Sequence, residues 1–142
     1  MEYNLERFVK AQEQDYEFAL NEIKSGTKFG HWMWYIFPQM EGLGRTNRSN
    51  FYGIKSLEEA KEYLNHPILG VRLIEITNEL LQFEGSDAEL IVGFPDCLKL
   101  RSSMTLFDLV DDSENELFKR VLKKFYNGQL DDKTLELLKI NN

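Results

Sequence analysis

The sequence predicts an all-α fold, a single globular domain of about six to eight helices that spans residues 1–142. Apolar residues recur at helical spacing along most of the chain, and residues that favour helix ends flank these runs. No alternating apolar and polar pattern of useful length indicates a β-strand. The length of 142 residues suits one domain, and the hydrophobic content of 42% is enough for a core.

The first predicted helix covers residues 4–25. Asn4 is placed to cap its start, and Gly26 is placed to close its end. Gln12 interrupts the apolar face of this helix. A buried amide without hydrogen-bond partners costs about 1–3 kcal/mol, so Gln12 is expected either to bond backbone groups or to face a polar pocket.

Residues 29–54 form the irregular part of the chain. The run 29–37 is apolar on nearly every side, and Pro38 should end any helix at or before the preceding residue. Residues 39–49 predict a long loop, and residues 51–54 are compatible with a short extended segment. Function is often carried by loops that a rigid scaffold holds in place, which draws attention to this segment.

Helix signals resume after this segment and continue to the end of the chain. The Ser-x-x-Glu capping pattern occurs three times, two prolines suit a first helical position, and one aspartate suits a last cap. These signals are Ser56 with Glu59, Ser86 with Glu89, Ser113 with Glu116, Pro67, Pro95 and Asp131. They predict helices at 56–65, 67–84, 95–110, 114–127 and 132–139, with a short helix between Ser86 and Gly93.

The charge of the chain argues against two classes of partner. A net charge of −7 repels nucleic acid and anionic membrane unless positive charge is concentrated locally. The basic clusters are short, and the largest lies among acidic residues on a predicted helix. We therefore expect no nucleic acid and no membrane as a partner, and a small anionic ligand remains possible. The oligomeric state and any cofactor remain unknown.

The cysteine and histidine content predicts neither a disulfide nor a metal site. Cys97 is the single cysteine, and His31 and His66 do not combine with it at any known ligand spacing. Cys97 is expected to belong to the core. The sequence shows no signal peptide and no apolar stretch of about 18 residues, so we expect a soluble, cytoplasmic protein.

Short motifs distributed over nearly the whole chain form a recognisable set. They are His31-Trp32 with Trp34, Phe37-Pro38-Gln39, Gly42-Leu43-Gly44, Tyr52, Ser56, Glu59-Ala60, Tyr63-Leu64, His66-Pro67, Leu69-Gly70, Arg72-Leu73, Gly93, Pro95-Asp96, Lys99-Leu100, Ser102-Ser103 and Thr105-Leu106-Phe107. Together they resemble a bacterial family without assigned activity, domain of unknown function 1810, some members of which are labelled calpastatin. The resemblance implies an all-helical single domain and no mechanism. The calpastatin label does not fit, because that inhibitor class is disordered when free and this chain has a core composition.

The aromatic segment supplies the first candidate functional residues. Trp32 could stack on a base or a sugar, and His31 beside it would suit proton transfer if it lined a cleft. Gln39 could read an amide-like edge of a ligand. The alternative is structural: the aromatic side chains build the core, His31 bonds nearby backbone, and Gln39 fixes the loop after Pro38.

The helix that begins near Pro95 supplies the second group. Asp96, Lys99 and Ser103 share one face, so Lys99 could meet an anion while Ser102, Ser103 and a nearby threonine complete the contacts. The alternative is a simple helical ion pair between Asp96 and Lys99. Asp96 is also a candidate for proton transfer.

The loop Gly42–Arg45 is the third feature, because glycines allow close approach of the backbone and an arginine can hold a phosphate or carboxylate. The sequence then supports two hypotheses. In the first, residues 29–54 and the 95–107 helix form a pocket for a small phosphorylated or nucleotide-like ligand, with turnover as a possibility. In the second, exposed aromatic residues form a non-catalytic patch for a protein partner. Whether the protein is an enzyme stays open.

Overall fold

The structure, a computed structural model, describes residues 3–139, and this part of the chain holds nine helices and no β-strand. The helices are α1 (Glu6–Ser25), α2 (Met33–Ile36), α3 (Asn47–Tyr52), α4 (Leu57–Asn65), α5 (Leu69–Gln82), α6 (Ala88–Val92), α7 (Asp96–Val110), α8 (Leu117–Tyr126) and α9 (Asp132–Leu137). The predicted all-α fold is confirmed. The described range contains more helices than predicted because the segment 29–54 folds into two short ones, α2 and α3.

The two ends of α1 depend on different interactions. Gly26 closes the helix as predicted, with a φ of 84° and its N–H directed at the carbonyls of Glu22 and Ile23. The predicted cap at Asn4 is wrong, because Leu5 occupies the capping position and no side chain caps the helix. The carbonyl of Asn4 instead accepts a hydrogen bond from the guanidinium of Arg7.

Two of the predicted caps are confirmed. The Ser56 hydroxyl accepts a hydrogen bond of 3.1 Å from the backbone N–H of Glu59 and starts α4. Asp131 accepts from the backbone N–H of Thr134 at 3.0 Å and from its hydroxyl at 2.6 Å, and so starts α9. In both cases the capping residue lies three positions before its donor, the spacing that local sequence can reveal.

The other two serine caps are wrong. Asp87, and not Ser86, caps α6 by accepting from the backbone N–H of Glu89 at 3.0 Å. Ser113 lies too far from α8, which begins after Glu116, a residue with a φ of 49° and no capping hydrogen bond. Asp87, one residue closer to α6, takes the capping role predicted for Ser86. The left-handed conformation of Glu116 makes α8 begin later than the Ser113 cap would require.

The prolines mark helix starts to within two residues. Pro95 stands immediately before α7 rather than inside it. The helix predicted from Pro67 begins at Leu69, where the Nδ1 atom of His66 accepts from the N–H groups of Ile68 at 3.1 Å and Leu69 at 3.2 Å. His66 thus satisfies two backbone N–H groups at the start of α5, a role that its position in the sequence does not reveal.

The core forms around α7, which packs on α4, α6, α8 and α9, while α5 packs on α1, α4 and α8. Four apolar side chains of α7 are completely buried, namely Leu100, Met104, Leu106 and Phe107. Residues 102–107 of α7 are buried, whereas its charged side chains are partly exposed, and the first turn of the helix opens to the surface. Asp96 and Lys99 lie in or next to this first turn.

Residues 29–54 pack against α1 through α2 and close on themselves. Ile54 pairs with Met40 in an isolated parallel bridge, in which Ile54 N–H donates to the Gln39 carbonyl at 2.9 Å and Glu41 N–H donates to the Ile54 carbonyl at 2.8 Å. The extended segment predicted at residues 51–54 is confirmed only at Gly53 and Ile54, because Phe51 and Tyr52 belong to α3. Thr46 caps α3, so the predicted long loop ends before residue 49.

Gln12 shows how α1 holds this segment. It is 2% exposed, and its amide nitrogen donates to the Tyr35 carbonyl at 2.7 Å and to the Tyr63 hydroxyl at 2.9 Å. Its amide oxygen accepts from Arg72 at 3.4 Å. The expectation that a buried Gln12 finds partners is confirmed, and these bonds join α1, α2, α4 and α5.

Candidate functional site

The candidate site lies where the first turns of α7 approach α2. The ammonium of Lys99 is 4.0 Å from the centre of the Trp34 ring and 3.0 Å from a carboxylate oxygen of Asp96. Trp34 is half-buried, so one side of its ring packs on the core and the other is available to Lys99. A cation over an indole face is attracted by the ring quadrupole. The predicted Asp96–Lys99 ion pair is therefore present, with an aromatic ring beneath it.

A second lysine shares the same carboxylate. The ammonium of Lys28 lies 2.9 Å from the other oxygen of Asp96, and the Lys28 side chain is only 7% exposed. Burial disfavours the charged carboxylate, but hydrogen bonds and charges from Lys28 and Lys99 outweigh it and lower the pKa of Asp96. Asp96 is thus ionised at neutral pH and engaged through both oxygens. The three side chains together carry one surplus positive charge.

Glu22 organises the residues that precede α2. One of its carboxylate oxygens accepts from the Trp32 ring N–H at 2.7 Å and from the Gly30 backbone N–H at 3.0 Å. Burial opposes ionisation of Glu22, yet these hydrogen bonds and the charge of Lys28 lower its pKa. Lys28 in turn donates to the Gly30 carbonyl and lies 5.1 Å from the Trp32 ring centre. Sequence reasoning missed Glu22 and Lys28, because no local pattern links either of them to its partners.

Trp32 belongs to the core and not to a ligand surface. It is 2% exposed, and its one polar atom is bonded to Glu22. The proposal that Trp32 stacks on a ligand is therefore corrected in favour of the structural alternative. Trp34, two residues later, is the tryptophan that reaches the charged cluster.

The glycine loop reaches the same ring from another direction. A Cβ atom at Gly44 would lie 3.5 Å from the Trp34 ring and 2.5 Å from both side-chain atoms of Ser49, so only glycine fits there. Arg45 follows directly and is exposed. Within residues 3–139, Arg45 makes no ion pair. The loop and Lys99 therefore approach one tryptophan.

The polar residues expected beside Lys99 are directed elsewhere. Gln39 is 8% exposed, and its carbonyl is bonded to Ile54. The Ser102 hydroxyl donates to the Leu98 carbonyl at 3.1 Å. Ser103 is fully buried, and its hydroxyl has no hydrogen-bond partner within the described range. The two serines lie in the interior because α7 is enclosed along most of its length, and Gln39 is buried in the loop that follows α2.

His31 is exposed, and its carbonyl accepts a hydrogen bond of 3.3 Å from Arg48 of α3. The same guanidinium lies 5.5 Å from the ring centre of Tyr35. His31 is thereby linked to α3. No hydrogen bond or ion pair within residues 3–139 joins it to Lys99.

Cys97 is a core cysteine, as predicted: it is 8% exposed, and burial raises the pKa of its thiol. In the described part of the chain, no group of three His, Cys, Asp or Glu side chains is placed to hold a metal ion. Within the same residues, no helix is both long enough and apolar enough to cross a membrane.

Comparisons with known proteins agree with the motifs seen in the sequence. The family model for proteins of unknown function DUF1810 matches residues 2–138. The chain belongs to the DUF1810 family. Among solved structures, the chain is similar to the conserved hypothetical protein Rv1873 from Mycobacterium tuberculosis, with 46% sequence identity and a TM-score of 0.93. That match covers 98% of this chain and 99% of the other. No curated protein matches the chain.

Proposed function

We propose that this DUF1810 protein binds a small phosphorylated or nucleotide-like molecule where the Gly42–Arg45 loop and the first turns of α7 meet at Trp34. The observation that carries the proposal is the position of Lys99, whose ammonium stacks on Trp34 while Asp96 holds it from the side. An ammonium fixed in this way is already ordered, so the lysine side chain loses less conformational entropy when an anion binds to it.

The charge balance supports an anionic ligand. Asp96 and Glu22 together balance the charges of Lys28 and Lys99, and Arg45 adds an exposed cation beside Gly44. In a chain with a net charge of −7, such an excess is local and would steer negatively charged molecules to this surface. The expected cytoplasmic location is where phosphorylated metabolites are abundant.

The proposal is one of binding, with turnover left out of it. Asp96 is a poor proton-transfer group, because its pKa is lowered and both of its oxygens are held by lysines. His31 is the other candidate, and its exposed position near Arg48 gives it no described contact with Asp96. Asp96 is better suited to positioning Lys28 and Lys99.

A thermal-shift screen against nucleotides, sugar phosphates and NAD-related metabolites tests the proposal. A ligand at 100 times its Kd stabilises the folded state by about 2.7 kcal/mol, a shift that is easily measured. Lys99→Ala and Arg45→Ala should each weaken the binding of any compound that stabilises the protein in this screen. A compound that binds both variants as tightly as the wild type would contradict the proposed site.

Two substitutions elsewhere provide matched controls. Lys119 pairs with Glu116 at 2.9 Å across the same i, i+3 spacing as Lys99 and Asp96, and Arg120 is an exposed arginine. Lys119→Ala and Arg120→Ala remove the same charges from α8. Ligand affinity should be unchanged in both, so a loss there would indicate a general charge effect instead of a site.

A protein-interaction role is the second candidate, and one observation favours it. Phe29, Leu90 and Phe94 are 78%, 68% and 68% exposed, and a backbone hydrogen bond of 2.7 Å from Lys28 to Ile91 brings the segment of Phe29 to α6. Exposed apolar side chains of this size mark interaction sites when they are contiguous. Sedimentation of the wild-type protein and of a Phe29→Ser, Phe94→Ser variant would reveal self-association through this surface. If both proteins sediment as monomers, this surface does not mediate self-association, and its partner would have to be a different protein.

A further inference from the structure

A separate cleft of about 420 Å³ lies between α1 and the segment that runs from α2 to α3. Its size falls within the range of ligand pockets, about 300–1,000 Å³. Neither Trp34 nor Lys99 nor Arg45 lines it. The cleft is therefore distinct from the surface described under the proposed function.

Three aromatic rings form one wall of this cleft. The Phe51 and Tyr52 ring centres are 4.8 Å apart, and the Tyr52 and Tyr35 ring centres are 5.2 Å apart. Tyr52 also packs on Phe8, a fully buried residue of α1, which fixes the wall to the core. Phe51 is 54% exposed, so its ring is open to stacking by a planar group.

Besides its aromatic wall, the cleft carries positive charge. Lys10 and Arg48 line it, and within residues 3–139 neither makes an ion pair. Asp15 is the acidic side chain among the lining residues, and its carboxylate accepts a hydrogen bond from the Tyr35 hydroxyl. Arg7, at the inner end, is neutralised by Glu59 at 3.0 Å. The cleft thus keeps one surplus positive charge in an acidic protein.

Arg48 is oriented by weak contacts that leave most of its donors unused. Within residues 3–139 the Arg48 side chain makes one hydrogen bond, of 3.3 Å, to the His31 carbonyl. Its guanidinium lies 5.5 Å from the Tyr35 ring centre. A guanidinium has five N–H donors and binds phosphate or carboxylate through two of them at once. The ring holds the guanidinium in place while its hydrogen-bonding capacity remains open.

We propose that this cleft binds an aromatic ring joined to a phosphate, the chemistry of a nucleoside monophosphate. The ring stacks on Phe51 and meets Tyr52 edge-on, because the planes of these two side chains are 80° apart, and the phosphate binds Arg48 and Lys10. A phosphate monoester fits better than a single carboxylate, because it carries about −1.5 to −2 charges and can use both cations. The site stands independently of the Lys99 surface, since the two share no residue.

Titration calorimetry with AMP, adenosine and ribose 5-phosphate tests this assignment. AMP should bind at least about tenfold more tightly than either fragment, since each fragment lacks one half of the recognition. Arg48→Ala should weaken AMP by about tenfold or more while leaving adenosine unchanged, as expected for a lost charge-assisted bond. Phe51→Ala should weaken AMP and adenosine alike, by about fivefold or more, through lost stacking.

Two controls separate this cleft from the Lys99 surface. Arg120→Ala, which removes an exposed arginine of α8, should leave AMP affinity unchanged, and AMP should not quench tryptophan emission, because no tryptophan lines the cleft. Loss of AMP affinity in Lys99→Ala instead of Arg48→Ala would move the ligand to the other surface and overturn the cleft assignment. Absence of AMP binding at millimolar concentration would also overturn it. Arg48 and Phe51 are both exposed, and melting curves of the two variants would verify that each is folded.

Discussion

Arg7 and Glu59 form an ion pair inside the protein, with 3.0 Å between their nearest atoms and side chains that are 4% and 1% exposed. Arg7 also donates to the carbonyls of Phe51 at 2.8 Å and Gly53 at 3.0 Å, and Glu59 accepts from the Lys55 backbone N–H at 2.7 Å. This pair therefore joins the start of α1 to α4 and to the chain between α3 and α4.

Arg7→Met should cost about 3–5 kcal/mol of unfolding free energy, because it leaves the Glu59 carboxylate buried without its counter-charge. Addition of Glu59→Gln should recover part of that loss, since the second change removes the unpaired charge. Urea unfolding at pH 7 measures both effects. Lys10→Met on the same helix is the control and should stay within about 0.5 kcal/mol, because Lys10 is exposed. A cost below about 1 kcal/mol for Arg7→Met would show that the pair is not stabilising.

The Asp96 carboxylate predicts a specific pH dependence of stability. Its pKa is lowered in the folded protein below the ordinary value of 3.8, so the folded state binds this proton less readily than the unfolded chain. The stabilisation is complete above pH 3.8 and is lost as the pH falls through the lower folded pKa. The difference in unfolding free energy between wild type and Asp96→Asn should accordingly be greatest near pH 7 and shrink below about pH 4.

Asp112→Asn is the matched control for this experiment. Asp112 is exposed, and within residues 3–139 it makes no ion pair. Its variant should differ from wild type by less than about 0.5 kcal/mol at pH 7, because the side chain is exposed. A difference for Asp96→Asn that stays constant with pH would contradict the assignment of the stabilisation to the charged carboxylate.

Local chemistry made much of the helical framework predictable. Gly26, Ser56 and Asp131 act through groups within four residues of themselves, so sequence shows both partners at once. The failures occur where a neighbouring residue competes for the same group or position. The Asn4 carbonyl is bonded by Arg7 without any cap forming, and Asp87 takes the position expected for Ser86.

The candidate site was only partly predictable for the same reason. The Asp96–Lys99 pair follows from helical spacing, and the structure contains it. Lys28 and Glu22 have partners that sequence spacing does not reveal, so their roles in holding Asp96 and Trp32 could not be inferred. The hydroxyls of α7 were misassigned because the sequence does not show how many helices enclose this one.

We expect Gly70→Ala to lower the unfolding free energy unusually strongly for a glycine-to-alanine change. Alanine is ordinarily favoured over glycine within a helix by about 1 kcal/mol. A Cβ at Gly70 would however lie 1.9 Å from the Leu64 carbonyl oxygen, which is backbone at the end of α4 and cannot rotate away. Steric overlap should therefore prevail, and Gly70→Ala should lower the unfolding free energy by about 1–3 kcal/mol or more. Thermal or urea unfolding measures this, with exposed Val71→Ala as the control.

Trp34 and Phe37 differ in burial: Trp34 is only half-buried, whereas Phe37 is 1% exposed. Comparing their alanine variants therefore distinguishes a role in core packing from a role in ligand binding. Full truncation of a buried aromatic side chain costs about 3–5 kcal/mol, and Phe37→Ala should fall in this range. Trp34→Ala should cost less, because part of its ring contacts the Lys99 ammonium in place of the core. Urea unfolding of both variants at one pH gives the comparison. Equal costs would mean that Trp34 is core in the same sense as Phe37.

The same variant then tests whether the ring matters for Lys99. Trp34→Ala removes the surface on which the ammonium rests, so a ligand of the Lys99 surface should lose affinity in Trp34→Ala even when the protein stays folded. Trp34→Phe keeps a ring with a weaker attraction for cations and should retain most of that affinity. Loss of affinity that is equal in Trp34→Phe and Trp34→Ala would instead indicate that the indole itself contacts the ligand.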